Sequence, residues 1–292
     1  MAPSIQTKDG IAFVQGVPHT PRDDSTYLLL HGLGNSFDFW NAVAPSLGTV
    51  NRTVALDIPG FGRSATPTGG FTFDHAAKKI SDFSRKLDIR NCIVVGHSLG
   101  ALVALRLVGL DSTRFKRLIL VDGTLGRVVR LLKCPQSVIQ HPALGVYVAA
   151  QFAGGLLPLG DRGARIIGYT PIIRALTLWP YVSNPNDLNP KMAAEALAKN
   201  GGISVAKVLG EACRFDYVTL MQAISQPVDL VWGERDHLIN QDDIRQARSL
   251  VTVERELEIA DCGHWPMIER PTELVDFILS WGDTSAGGAA RH

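Results

Sequence analysis

The run Gly96-His97-Ser98-Leu99-Gly100 has the residue types and spacing of a covalent catalyst. It follows the apolar stretch Ile93-Val94-Val95 and precedes a segment of helical periodicity, so the serine falls on a sharp turn between a strand and a helix. Side chains at the two outer positions of such a turn would meet the neighbouring strand and helix, which is why glycine fits there and the hydroxyl stands proud. The plain alternative is a serine capping a helix in a glycine-rich βα turn. A serine hydroxyl is a poor nucleophile at neutral pH and needs an imidazole, itself oriented by a carboxylate.

His264 is the best placed base. It lies in Asp261-Cys262-Gly263-His264-Trp265-Pro266, after the last strand pattern, and Pro266 and Pro271 are expected to delay the following helix so that the ring sits on a loop. For the acid, Trp232-Gly233-Glu234-Arg235-Asp236 follows the strand pattern Val228 to Trp232 and puts Asp236 just past its carboxyl end, where open α/β sheets build their sites. Asp122, after Leu118 to Val121, is a competitor, and Glu234 reads as a turn charge. His97 sits in the turn itself, His31 precedes Gly32, His237 adjoins the acid, and His19, His75, His141 and His292 have no strand-end setting. The Leu99 N–H, at a helix start, and the Leu33 N–H in Leu30-His31-Gly32-Leu33-Gly34 are candidate donors to an oxyanion.

These groups need a scaffold that brings distant strand ends together. Ile11 to Val14, Tyr27 to Leu30, Thr53 to Leu56, Ile93 to Val95, Leu118 to Val121, Val228 to Trp232 and Arg255 to Ile259 read as strands, mostly continuous in apolar residues as expected where both faces are covered. Helical spacing fills the intervals near 37–47, 73–87, 99–110, 242–250 and 272–281. The alternation predicts an α/β fold with a mostly parallel, doubly wound sheet. The rhythm breaks between 124 and 215, which reads as a helical insertion between core segments 8–123 and 216–282, with a frayed tail over 283–292. Ten Lys/Arg against four Asp/Glu give that insertion about +6, leaving about −5 for the remainder of a chain of net charge +1.

Of the 292 residues, 46% are hydrophobic and 20% charged, a composition that excludes a largely disordered chain. A net charge of +1 with no Lys/Arg-rich run argues against nucleic-acid partners. Cys92, Cys134, Cys213 and Cys262 are far apart and form no metal or redox spacing, so reduced thiols, no metal and no cofactor are expected. The first ten residues have no basic stretch followed by an apolar one, and a cytoplasmic location follows as the expectation. The apolar run Leu144 to Leu159 is cut by Gly154, Gly155 and Pro158, too short to span a bilayer and read as a buried or interfacial helix without stable membrane insertion.

Taken together, H-G-L-G at 31–34, D-I-P-G-F-G-R-S at 57–64, G-H-S-L-G at 96–100, W-G-E-R-D at 232–236 and G-H-W-P at 263–266 resemble the α/β-hydrolase fold family, with the order Ser, Asp, His also in agreement. The resemblance implies a triad of Ser98, Asp236 and His264, oxyanion donors at Leu33 and Leu99, a structural loop at 57–64 and a cap formed by 124–215. It implies an acyl-enzyme hydrolase of carboxylic esters acting on a hydrophobic small molecule. Carbon–carbon bond hydrolysis, a cofactor-free peroxidative side activity, acyl transfer and a ligand receptor that does not turn over are the other uses of such a scaffold. Arg127, Arg130 and Lys133 beside Val128, Val129, Leu131 and Leu132 suggest either a site for an anionic substrate or lipid surface, or an amphipathic helix with solvated charges. Oligomeric state is not legible.

Overall fold

The computed structural model describes residues 4–139, 142, 144–146, 160–198 and 203–281. Among them run strands β1 (Gln6–Lys8), β2 (Ile11–Gly16), β3 (Thr26–Leu30), β4 (Arg52–Leu56), β5 (Cys92–His97), β6 (Phe115–Val121), β7 (Val228–Gly233) and β8 (Val253–Ile259). They form one sheet in the order β1-β2-β4-β3-β5-β6-β7-β8. β2 pairs antiparallel with β1 and with β4, and every other pair is parallel. This is the mostly parallel, doubly wound sheet that the alternation of strand and helix patterns requires, extended by a hairpin.

Alternation along each strand divides the core into two layers. Leu28, Leu30, Val94, Leu118 and Leu120 face α2 (Phe73–Lys86) and α3 (Leu99–Leu110). Tyr27, Leu29, Val95, Ile119 and Val121 face Trp40 and Leu47, with Leu274 and Ile278 of the helix Pro271–Leu279. The central strands are covered on both sides, which explains their unbroken apolar runs. β8 is different: its residues alternate between partly covered and exposed until Ile259, as an edge strand allows.

Two helix expectations need correction. The span near 37–47 is a short 3₁₀ turn, Phe37–Trp40, and a separate helix α1, Ala44–Val50. The Ser36 hydroxyl caps the first, and Pro45 near the start of the second cannot continue a preceding helix. Pro266 does not delay helix onset; it sits at the first position of a one-turn helix, Pro266–Glu269, where its missing N–H costs nothing.

Between β6 and β7 the described residues are helical, including α4 (Gly126–Lys133), Gly160–Tyr169, Pro171–Leu178, Pro190–Ala198 and Ile203–Ala212. Leu144 is buried and Val146 exposed, while most of the run to Leu159, like the tail 283–292, lies outside the described residues. No described helix is long and apolar enough to cross a membrane.

Away from the site, the sheet carries a charged crosspiece. Asp229 of β7, wholly buried, binds Arg117 of β6 and Arg255 of β8. Arg117 also reaches Glu254, at 2.7 Å. Removing one member of a buried ion pair strands its partner, at a cost of about 3–5 kcal/mol. Asp229→Ala is therefore expected to lower the free energy of unfolding by about that amount, read in urea as a lower midpoint at unchanged slope; an unchanged midpoint would show the crosspiece to be energetically idle.

Candidate active site

Three strand ends supply the site. At the end of β5 the chain turns into α3 through Ser98, whose φ of 51° and ψ of −119° are strained for a residue with a side chain. The Ser98 N–H donates to the Val121 carbonyl at 3.0 Å, and its own carbonyl accepts from the Ala101 N–H at 2.9 Å. The flanking glycines are steric necessities: a Cβ on Gly96 would lie 2.8 Å from Ala101 Cα, and one on Gly100 would lie 2.5 Å from the Leu30 carbonyl oxygen. A Cβ on Gly32 would lie 2.8 Å from His97 Nδ1, which is why the Gly32–Leu33 backbone can come so close to the serine turn.

The structure brings Ser98, His264 and Asp236 together. His264 Nε2 lies 3.0 Å from Ser98 Oγ, and His264 Nδ1 lies 2.7 Å from Asp236 Oδ2. Asp236 Oδ1 accepts the Leu238 N–H at 2.7 Å, so both carboxylate oxygens are engaged. Burial alone would push the Asp236 carboxyl up, but the facing His264, together with hydrogen bonds from His264 and the Leu238 N–H, holds it below its usual range. It is thus ionised and able to favour an imidazolium.

The His264 loop is fastened from several sides. Its N–H donates to the Tyr181 carbonyl at 2.6 Å. Its carbonyl accepts from His97 Nε2 at 2.8 Å, which fixes the tautomer of the buried His97 with its proton on Nε2. Burial, then the nearby His264, pull His97 down to about 3, so that ring is neutral. Glu269 completes the fastening: its Oε1 accepts the Gly263 N–H at 3.0 Å, and its Oε2 accepts the Ser183 N–H and hydroxyl, both at 2.7 Å. Trp265 packs edge-on against Phe39 at 5.1 Å between centroids.

The other sequence candidates fall elsewhere. His31 donates through Nδ1 to the Gly32 carbonyl at 2.8 Å and accepts the Ile58 N–H on Nε2 at 3.0 Å, so it pins the loop 57–64 rather than facing the serine. That loop is held by buried Asp57, which accepts the Phe37 and Arg63 N–H groups, each at 2.6 Å. His237 meets Trp179 edge-on at 5.0 Å between ring centroids, and Glu234 accepts the Asp261 N–H at 3.0 Å in an exposed turn. His141 and His292 lie outside the described residues. Asp122 does not orient the imidazole; its Oδ1 accepts the Gly233 N–H at 3.1 Å, at the end of the strand next to the one that leads to Asp236. Two supports were missed by sequence reasoning. Glu269 carries no motif of its own, only a place one turn after Trp265, and Asp122 was weighed as a rival to Asp236 rather than its neighbour.

Ser98 opens into a narrow cavity of about 70 Å³ lined by Leu33, Leu99, Leu125, Val128, Leu132 and Leu209, among other aliphatic residues. A roomier groove of about 730 Å³ between β2 and α1 contains none of the three site residues. Leu99 is the first residue of α3, so its N–H has no carbonyl one turn back to bond. No charged side chain lines the serine cavity among the described residues. Of the three basic residues of α4, Arg127 is paired with Asp243 at 2.7 Å and the Leu238 carbonyl at 3.0 Å, while Arg130 and Lys133 are exposed, as on an amphipathic helix with solvated charges.

A family model described as alpha/beta hydrolase family matches residues 27–277. An uncharacterised protein of Mycobacterium tuberculosis is 28% identical over 88% of this chain and 75% of its own length. A protein of Metapseudomonas resinovorans named 2-hydroxy-6-oxo-6-(2'-aminophenyl)hexa-2,4-dienoic acid hydrolase is 23% identical, covering 96% of this chain and 94% of that one. Among solved structures, a thermophilic esterase from Thermogutta terrifontis superimposes with a TM-score of 0.65 at 19% identity, covering 98% of both chains.

Because Glu269 alone holds three donors from two segments, Glu269→Ala should loosen the His264 loop as well as strand buried N–H groups. The expected result is about 1–3 kcal/mol of lost stability together with a lower kcat at little-changed KM, measured by denaturation and ester turnover. Equal kcat in the variant would mean the loop is held adequately without it.

Proposed function

The chain belongs to the alpha/beta hydrolase family, and from that premise we propose that it is a serine hydrolase cleaving carboxylic esters with an uncharged, apolar acyl group. The observation that carries this reading is the continuous hydrogen-bonded chain from Ser98 Oγ through His264 to Asp236, at 3.0 and 2.7 Å, opening into an aliphatic cavity.

In this reading His264 Nε2 takes the Ser98 proton as Oγ attacks the ester carbonyl, and Asp236 stabilises the imidazolium. The Leu33 and Leu99 N–H groups receive the oxyanion of the tetrahedral intermediate. The intermediate collapses by expelling the alcohol, protonated by His264. Water, deprotonated by the same ring, then attacks the acyl-enzyme and releases the carboxylic acid. No step calls for a metal or cofactor. The segment 124–215 acts as the cap, with α4 and the helix Ile203–Ala212 supplying wall residues such as Val129 and Leu209.

Hydrolysis of a carbon–carbon bond is the second reading, favoured by the name of the Metapseudomonas resinovorans relative. That name denotes an acid, whose carboxylate needs a cation or several donors in a dry pocket. The aliphatic wall over Ser98 supports the ester reading instead.

Ser98→Ala should lower kcat on p-nitrophenyl butyrate by about 10⁴–10⁶-fold and abolish labelling by a fluorophosphonate. Wild-type turnover in that variant would remove the serine from the mechanism. With the native protein, neutral aliphatic esters should exceed esters bearing an acyl carboxylate by at least tenfold in kcat/KM, and the reverse order would favour the second reading.

A further inference from the structure

Asp122 stands at the end of β6 with a φ of 44°, unusual for a residue with a side chain, and it is wholly buried. Its N–H donates to the Val231 carbonyl at 2.8 Å, so β7 holds the twisted backbone in place. Oδ1 accepts the Gly233 N–H at 3.1 Å. Oδ2 is buried and meets no donor among the described residues. Its neighbour across the strand ends is Asp236: Gly233, whose N–H goes to Asp122 Oδ1, accepts the Asp236 N–H at 3.1 Å, and each carboxyl group perturbs the other.

Two carboxyl groups side by side in a dry site cannot both be ionised unless a cation or donor separates them. No side chain among the described residues does so. His264 has Nδ1 committed to Asp236 and Nε2 to Ser98. His97 lies close, with ligand atoms of His97, Asp122 and His264 all within 4.8 Å of one another, but its one ring proton goes to the His264 carbonyl. No Lys or Arg pairs with either acid among the described residues. One shared proton would relieve the repulsion, and the partners of each acid decide where it would reside. Asp236 accepts from His264 Nδ1 and the Leu238 N–H, both at 2.7 Å, whereas Asp122 accepts from one N–H at 3.1 Å. The charge belongs on Asp236. Burial, then the negative charge of Asp236, push Asp122 well above the carboxylate range, in the same sense; Glu269 adds a smaller push.

We propose that Asp122 is a neutral carboxylic acid that donates its Oδ2–H to Asp236, a positioning residue that keeps the Asp236 carboxylate ionised and aimed at His264. The inference rests on the triad reading of the same site. Water would ordinarily solvate a lone carboxylate; here a fixed O–H replaces it without admitting water beside the imidazole. The site therefore contains two aspartates in different states, one as acid and one as base, on adjacent strands.

Asp122→Asn keeps an N–H for Asp236 and an oxygen for Gly233, whereas Asp122→Ala supplies neither. With p-nitrophenyl butyrate, D122N is expected to retain at least a fifth of native kcat, and D122A to lose on the order of 10–100-fold in kcat at unchanged KM, the usual range for a group that orients a catalytic ligand. The far-downfield proton resonance of His264 Nδ1–H should persist in D122N and shift or broaden in D122A. An infrared band of a protonated carboxyl group, on the high-frequency side of the amide band, should be present in the native protein at pH 8 and missing from D122N. If D122A does not fold, the infrared comparison decides. Identical carboxyl bands in native protein and D122N, or a D122A variant with the kcat of D122N, overturn the proposal. Full activity in S98A would instead sink the serine mechanism, and the infrared band would still report whether Asp122 holds the proton.

Discussion

The start of α3 sits almost on the carbonyl oxygens at the end of β3, and the rest of the site follows from that approach. There is room for Gly100 only because it has no Cβ, and the same holds for Gly96 against Ala101. With strand and helix so close, the residue between them must cross in a left-handed conformation, as Ser98 does at φ 51°. Such a backbone costs about 1–3 kcal/mol. The helix it starts offsets that readily, since Leu102, Leu105 and Leu107 are buried and each such side chain contributes about 1.5–3 kcal/mol. Strain at the serine is thus held by ordinary packing behind it, and the hydroxyl is presented without a search through rotamers of a flexible loop.

Dryness sets the electrostatics. An aliphatic cavity over Ser98 strengthens each charge-bearing contact beneath it and penalises each unpaired charge. His97 illustrates the second effect: burial keeps it neutral, so it places no cation beside His264, 5.0 Å away between ring centroids. Asp236 illustrates the first. It remains charged because donors converge on it from His264 and from the Leu238 N–H, while Asp122 closes the remaining side. The same burial therefore yields an ionised acid, a neutral acid and a neutral histidine within a few ångströms, according to the donors each one meets.

Much of this was legible from residue pattern. Strand runs such as Leu28 to Leu30 are apolar because both sheet faces are covered, and a turn like Gly96 to Gly100 has few steric solutions, so local sequence carries the information. The convergence of Ser98, Asp236 and His264 was readable because each follows a parallel strand, and parallel strands deliver their ends to one edge. What escaped was contact across that edge. Asp122 and Asp236 are separated by the whole helical segment in sequence but terminate neighbouring strands, so their pairing depends on sheet order, which no local window contains. The pairing of Arg127 escaped for the same reason: its partner Asp243 lies across the segment boundary. Helix ends failed differently, since Pro266 can either precede or open a helix and only the cap geometry decides.

The segment between β6 and β7 is joined to the site more deeply than a detachable cover would be. Tyr181 and Ser183 grip the His264 loop, one directly and the other through Glu269. On the opposite side, Arg127 of α4 binds the Leu238 carbonyl, and the Leu238 N–H binds Asp236. The same α4 carries Val128, Val129 and Leu132 into the cavity wall. The cavity wall and the placement of Asp236 and His264 are therefore joined through α4 and through residues 181–183. Displacing either would disturb the hydrogen bonds that hold Asp236 and the His264 loop. The helix α4 thus carries cavity-wall residues and, through Arg127 and Leu238, a hydrogen-bonded connection to the Asp236 carboxylate that faces His264.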